Sequence, residues 1–366
     1  MSVQTNTALL DISVKTQVYI EDVKLWQSQK FEPVLKELSD NFKKVVRTAK
    51  YEDLNKLTKM ELNRLIAKLR LSQSSIFNVY YETLLKDLKE FMGATLEVNQ
   101  RTYSSFIMSD NKDKPKPLTQ KKAIEVLIEE QKKNKNNTLF GVAAVTAADE
   151  KLWTAIVNEP LPVNGVYLIA YLKTFLVSSQ LALENLIRKA WANKWTLTQL
   201  IAQATAERPQ DTPQGTASET RKISVAESAV VATVMQHIAQ LTQGGVLSLL
   251  FEAYAWISVI DGKTSDICRG LNQTKWIFGK GPLPPAHTRC RSHISPFVGK
   301  GDIPDETFYT WIRRQSETFQ NDVLGAANAR ALRAGKVKAQ DISKYESNQP
   351  LSIEAFKGKV ETILTA

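Results

Sequence analysis

The sequence predicts an α+β fold, predominantly α-helical, in which a long helical N-terminal region leads into a small β-hairpin-containing module and a helical C-terminal tail. Three observations predict it. Apolar residues recur at helical spacing through most of the first 200 residues. A run rich in Val, Leu, Phe, Tyr, Trp and Ile comes next, from Val246 to Ile260, followed by turn residues and a second short strand candidate. After 307 the helical pattern returns in short pieces. With 366 residues, 43% of them hydrophobic and 23% charged, the chain has ample apolar material for more than one core, which excludes collagen-like, wholly disordered and disulfide-framework classes.

The first hundred residues read as helices. Phe31 to Arg47 places Val34, Leu35, Leu38, Phe42, Val45 and Val46 on one face, with Glu37, Asp40, Lys43 and Lys44 opposite. Leu57 to Leu71 repeats the pattern through Leu57, Leu62, Leu65, Ile66 and Leu69, and a third stretch from Ile76 to Met92 is expected to end at Gly93. Prolines 115 and 117 then forbid helix, so 110–118 and 132–139 are expected as exposed loops flanking a helix from Thr119 to Lys133. Their lysines solubilise the loops or touch phosphates loosely.

The helical signal resumes from Ala147 to Trp195, strongest over Gly165 to Trp191 with Leu168, Leu172, Phe175, Leu176, Leu183, Leu186 and Ile187. The longest apolar stretch, Val163 to Leu186, is interrupted by Asn164, Lys173, Ser178, Ser179, Gln180 and Glu184 and falls short of a membrane span. Two prolines and a glycine within Glu207 to Thr216 mark the clearest break. A helix restarts near Ser218 and runs to Gln243, closed by Gly244 and Gly245, with Glu219, Arg221, Lys222 and Glu227 on its wet side and His237 at a core edge. Tyr254 to Ile260 reads as a strand, Asp261-Gly262 as a turn that uses glycine's tolerance of positive φ, and Lys275 to Phe278 as a second strand. Pro282, Pro284 and Pro285 make the connection after the second strand extended and stiff. An Ala-rich helix over 326–334 closes at Gly335. The expected organisation is a helical region at 1–205, a linker at 206–217, an α+β module at 218–300 and a helical tail at 301–366.

One constellation carries chemistry. Both cysteines and two of the three histidines fall within 26 residues: Cys268, His287, Cys290 and His293. Ligands three residues apart can converge in a tight turn, and a distant one completes a tetrahedron, so the four residues are a candidate closed zinc site. Three other readings stand beside it. The cysteines could be plain buried thiols with the histidines bonded around Asp261 or Asp266; they could pair as a disulfide; or Cys290 could be a nucleophile with His287. For the last, the sequence offers no orienting third group and no glycine-rich oxyanion loop. A zinc deaminase is excluded, because no His-x-Glu precedes Pro285-Ala-His-Thr-Arg-Cys290. Phosphate-loop, dinucleotide, metalloprotease and serine-hydrolase motifs are absent.

Lys and Arg outnumber Asp and Glu 48 to 38, a net charge of +10 that suits an acidic partner, nucleic acid first. Around the cluster, Arg269, Arg289, Lys275 and Lys280 are the candidate phosphate contacts, whereas Arg291 is expected to tie loops together. Trp256 and Trp276 are expected in the core rather than as stacking platforms. With two cysteines and no secretory signal at the start, a reducing cytoplasm is the expected compartment.

The order Trp256, Asp261-x-Lys-Thr264, Cys268, then Pro284-Pro285-x-His287-x-x-Cys290-Arg291 resembles the phage head morphogenesis family related to the Mu F protein, the minor head proteins. The tail Trp311 to Gly325 looks similar as well. Ser265 and Ser292 stand where the family pattern has its first and last cysteine. The resemblance covers about 50 residues. It implies that Trp256, Asp261, Thr264, Cys268, Pro285, His287, Cys290 and Arg291 define the fold of a compact hairpin module. It also implies a non-enzymatic virion protein, assembled in host cytoplasm and housed in few copies inside the head near the portal vertex. Portal, capsid or scaffold proteins would be its partners, with non-specific contact to DNA. The rival expectations are a metal- or thiol-dependent hydrolase built on the Cys268, His287 and Cys290 cluster, and a nucleic-acid-binding protein outside any virion.

Overall fold

The computed structural model describes residues 2–109, 148–299, 303–344 and 349–365. The expected loops at 110–118 and 132–139, and the helix from Thr119 to Lys133, lie outside these residues. The described chain is mostly helical, with one small antiparallel sheet, as its patterning predicts. In order come α1 (Ser2–Gln29), α2 (Phe31–Val46), α3 (Lys59–Ser109), α4 (Ala148–Val157), α5 (Leu168–Ala192), α6 (Leu197–Thr205) and α7 (Glu219–Leu247). Then come β1 (Ala253–Ile257), α8 (Asp266–Leu271), β2 (Lys275–Ile277) and β3 (His293–Phe297). The tail holds α9 (Phe308–Arg314), α10 (Glu317–Leu324), α11 (Ala326–Arg333), α12 (Ile353–Lys357) and α13 (Val360–Leu364). No described helix is long and apolar enough to cross a membrane.

The chain divides into two compact units, and not along its length as expected. The smaller takes Gln27–Asp87 and Ile169–Val231, the larger Met1–Trp26, Leu88–Leu168 and Ala232–Ala366. Sequential boundaries fail because α3 and α7 each supply one part to each unit, so the Pro-rich stretch at 207–216 is a connection inside the smaller unit rather than a linker between domains.

In the smaller unit, Phe31, Leu38, Phe42, Leu69, Phe77, Leu172 and Leu183 are buried, and Phe31 meets Tyr80 at 4.9 Å between ring centroids. Thr196 and Gln199 form a capping box that starts α6. Glu227, expected on the wet side of α7, is buried and accepts a hydrogen bond from the Tyr80 hydroxyl. Burial pushes its carboxyl up to about 8.

Gly93 does not end a helix. The two expected helices on either side of residue 72 and the stretch beyond Gly93 are one continuous α3, since a lone glycine costs only about 1 kcal/mol in a helix and neighbouring apolar residues are buried. Likewise α7 runs through Gly244 and Gly245 to Leu247.

In the larger unit α1 is buried nearly all round and carries polar side chains into the core. Asp11 accepts from the Trp311 indole at 2.8 Å and from Arg314 at 2.6 and 2.8 Å. Lys15 donates to the Thr365 carbonyl, and Tyr19 to Asp322. The sheet order is β2-β1-β3, all antiparallel, with Trp256 opposite Ile294 and Tyr254 opposite both Trp276 and Pro296. Both expected strands form, slightly shorter than expected, but β3 is an addition to the hairpin. Pro296 is tolerated because β3 is an edge strand. That edge is covered: Gln236 of α7 donates to the Ser292 carbonyl at 2.6 Å, and Gln240 accepts from the Ile294 amide at 2.9 Å.

Candidate functional site

The motif residues come from three neighbouring pieces of chain: the end of β1 with its adjoining loop, α8, and the turn that leads into β3. Trp256 on β1 is buried against Cys268 and Cys290, with Leu271 and Ala286 packed around them. Its indole donates to the Ser258 hydroxyl at 3.0 Å, which in turn donates to the Cys268 carbonyl at 2.7 Å.

The loop after β1 folds around Asp261. One carboxylate oxygen accepts from the Lys263 amide at 2.7 Å, and the Asp261 amide donates to Thr264 Oγ1 at 2.9 Å. Gly262 is not among the residues with positive φ. The turn is therefore set by the Asp261 side chain rather than by glycine's freedom. Thr264 Oγ1 also donates to the Val259 carbonyl. Arg291 grips Asp261 with both ends of its guanidinium, at 2.8 and 2.7 Å, and the Asp261 side chain is fully buried. The expected loop-tying role of Arg291 has this form, and it replaces the expected histidine contacts to Asp261.

Ser265 caps α8 by accepting from the Cys268 amide, which places Cys268 on the inner face of its first turn. On the other side, a tight turn brings His287 and Cys290 together through the Cys290 amide and His287 carbonyl, at 3.1 Å. Arg289 within it has φ of 58°. Pro285 is buried just before this turn. Between β2 and that turn, Gly281 admits the close approach of Trp276, since a Cβ there would lie 2.4 Å from that side chain.

The result is a compact triad of donors. Cys268 Sγ lies 3.1 Å from His287 Nε2 and 3.6 Å from Cys290 Sγ, and all three ligand atoms lie within 4.8 Å of one another. Both thiols are free, and both are buried, whereas His287 is half-buried. His287 Nδ1 donates to the Thr288 carbonyl at 2.8 Å, which turns Nε2 toward the Cys268 sulfur. The Cys290 thiol donating to it holds the Cys268 sulfur down at about 6, against burial and with help from the Ser292 and Ser265 hydroxyls and the Arg291 charge. The same hydrogen bond and burial push the Cys290 thiol up.

His293 does not join this group. It is the first paired residue of β3, opposite Ile257, and is 1% exposed. Extended chain advances about 3.3 Å per residue, which carries it from the turn into the sheet. Burial pulls its imidazole down to about 3, so it is a neutral core histidine. His237 is likewise buried, with Nε2 at 3.3 Å from the Glu159 carbonyl.

The four candidate phosphate contacts are not gathered into one patch by any shared partner. Arg269 donates to the Asp261 carbonyl at 2.6 Å and to the Thr264 carbonyl, and so braces the loop. Lys275 sits over the Phe297 ring, 5.2 Å from its centroid. The Arg289 amide bonds Thr233 on α7, and Lys280 is exposed beyond β2.

The sequence reading missed Ser258, Ser265 and Ser292 as members of the site. The available signals were the placing of Ser265 and Ser292 three and two residues from the cysteines and their standing where the resembled pattern has cysteines.

Compared with known protein families, curated proteins and solved structures, the chain matches none.

Proposed function

We propose that this chain is a minor head protein of a phage, a structural component held in few copies near the portal vertex, where it assists head assembly. One observation carries the reading: the ordered set Trp256, Asp261, Thr264, Cys268, Pro285, His287, Cys290 and Arg291, whose spacing resembles that family, is spent on holding three pieces of chain together. Arg291 and Asp261 clamp the loop to the entry of β3, and Trp256 seals the two cysteines. Such a set suits a fastener in an assembly protein. A thiol hydrolase acting on a polymer needs an accessible nucleophile, and Cys268 and Cys290 are only 2% and 0% exposed.

In this reading the helical N-terminal region contacts portal or scaffold, and exposed lysines neutralise packaged DNA without reading bases. The test is composition. Particles purified from a host that carries this gene are analysed by quantitative mass spectrometry, and the chain is expected at a small fixed ratio to the major capsid protein. Particles that form normally and contain none of it would overturn the proposal.

A further inference from the structure

From the geometry of the triad we propose that Cys268, His287 and Cys290 bind one zinc ion, with a solvent molecule as the fourth ligand. The proposal is independent of the virion reading.

The distances carry it. Zinc holds sulfur at about 2.3 Å and imidazole nitrogen at about 2.0–2.1 Å in a tetrahedron, so two bound sulfurs lie about 3.8 Å apart, and sulfur and nitrogen about 3.6 Å. Here the two separations from Cys268 are 3.6 Å and 3.1 Å, so these pairs need to open by about half an ångström or less to take the ion, and the third pair, His287 Nε2 to Cys290 Sγ, already lies within 4.8 Å. The imidazole is set for it. Nδ1 is committed to the Thr288 carbonyl, the outer contact that orients a metal-binding histidine and leaves Nε2 to ligate. Two electron-rich atoms facing each other at 3.1 Å require a shared proton or a cation between them, and a cation satisfies all three donors at once.

Among the described residues no fourth Cys, His, Asp or Glu joins the group. Ser265 and Ser292, which stand where the resembled pattern has cysteines, flank the group instead: Ser265 accepts from the Cys268 amide, and the Ser292 hydroxyl bonds that of Ser258. They are outer-layer contacts, and the remaining corner falls to water at the half-buried His287 side. Two thiolates with one imidazole select zinc-type ions over magnesium or calcium. Each sulfur binds as thiolate, its proton passing to buffer. The ion would tie α8 to the turn ahead of β3.

The test uses the full chain, reduced with a phosphine. Zinc is titrated against a chromophoric chelator, and Co(II) is added separately as a spectroscopic probe. One equivalent per chain is expected, with near-ultraviolet thiolate-to-cobalt absorption and intense visible bands of tetrahedral Co(II). C268S and C290S should each lose stoichiometric binding, whereas S292A should keep it with affinity weakened on the order of 10–100-fold. Since a cysteine variant can fail by misfolding, a second readout uses the unaltered chain: zinc should slow alkylation of both thiols, and chelator should restore it. Reduced, folded protein that shows no cobalt–thiolate absorption and unprotected thiols would overturn the site, as would binding of Cu(I) without Zn(II). So would binding that survives loss of either cysteine.

Discussion

Asp261 and Arg291 bring opposite charges to a place where neither could stay alone. The carboxylate is fully buried and the guanidinium 18% exposed, and the fork geometry satisfies two oxygens at once. Removing one partner leaves the other charged and desolvated, which is far more costly than the net worth of the pair. Arg291→Ala is therefore expected to destabilise the larger unit by about 3 kcal/mol, at the low end of the range for broken buried pairs because Asp261 keeps its contacts to Lys263 and Thr264. Arg291→Lys should recover little of this, since a point charge cannot make both bonds. Urea denaturation monitored by tryptophan fluorescence measures both, and a loss below about 0.5 kcal/mol for the alanine variant would contradict the clamp. The identity of Arg291 as a tie was legible from its position beside Cys290. Its partner was not, because 30 residues of chain separate the two and only the folding of the loop after β1 onto the entry of β3 brings them together.

At the scale of elements, α1 and α7 both depart from a simple amphipathic pattern. Gln17 on α1 is bonded to Gln236 on α7, and α7's glutamines satisfy the edge of β3. Within the smaller unit the first turns of α7 bury Glu227 beside Tyr80 of α3. Its carboxyl, pushed up to about 8 by burial, starts from about 4.3 in the unfolded chain. The folded state thus holds its proton more tightly, and the stability that comes from the neutral form is complete below about pH 4 and is lost as pH rises toward 8. Glu227→Gln keeps an acceptor for the Tyr80 hydroxyl and removes the ionisation. Its stability should fall less than that of the unaltered chain between about pH 5 and 8, so that the variant is the more stable of the two above pH 8. Parallel stability–pH curves for the two proteins would contradict a buried neutral Glu227. Helical periodicity located this helix but misplaced the residue, because periodicity sees only one apolar stripe, and a helix that packs on more than one side has none to spare for water.

For the whole molecule, the net charge of +10 bears on partners rather than on fold. Arg269, Arg291 and Lys275, which looked like candidates or neighbours of a phosphate patch, make contacts within the chain, so the phosphate-neutralising part of the proposed function rests on exposed side chains such as Lys280. If about four phosphates are neutralised, affinity for double-stranded DNA should fall roughly 100-fold between 50 and 200 mM salt, independent of sequence. Fluorescence anisotropy with two unrelated duplexes measures it. Affinity unchanged across that range, or a preference for one duplex, would remove non-specific DNA contact from the proposal.

The chain's patterning by itself determined the predominance of helix, the placing of two strands between 253 and 278, the burial of Trp256 and the clustering of both cysteines with His287, because each arises from side-chain spacing over a few residues or a few tens. The tertiary structure decided what depends on distant chain. It placed α1 in the core, added β3 as the covered edge, divided the chain into two interleaved units, and parted His293 from the metal-like triad. Local spacing tells which face of an element is apolar or rich in ligands. Which other segment comes to meet that face, and so whether a histidine three residues past a cysteine ligates or is buried in a sheet, is set by packing alone.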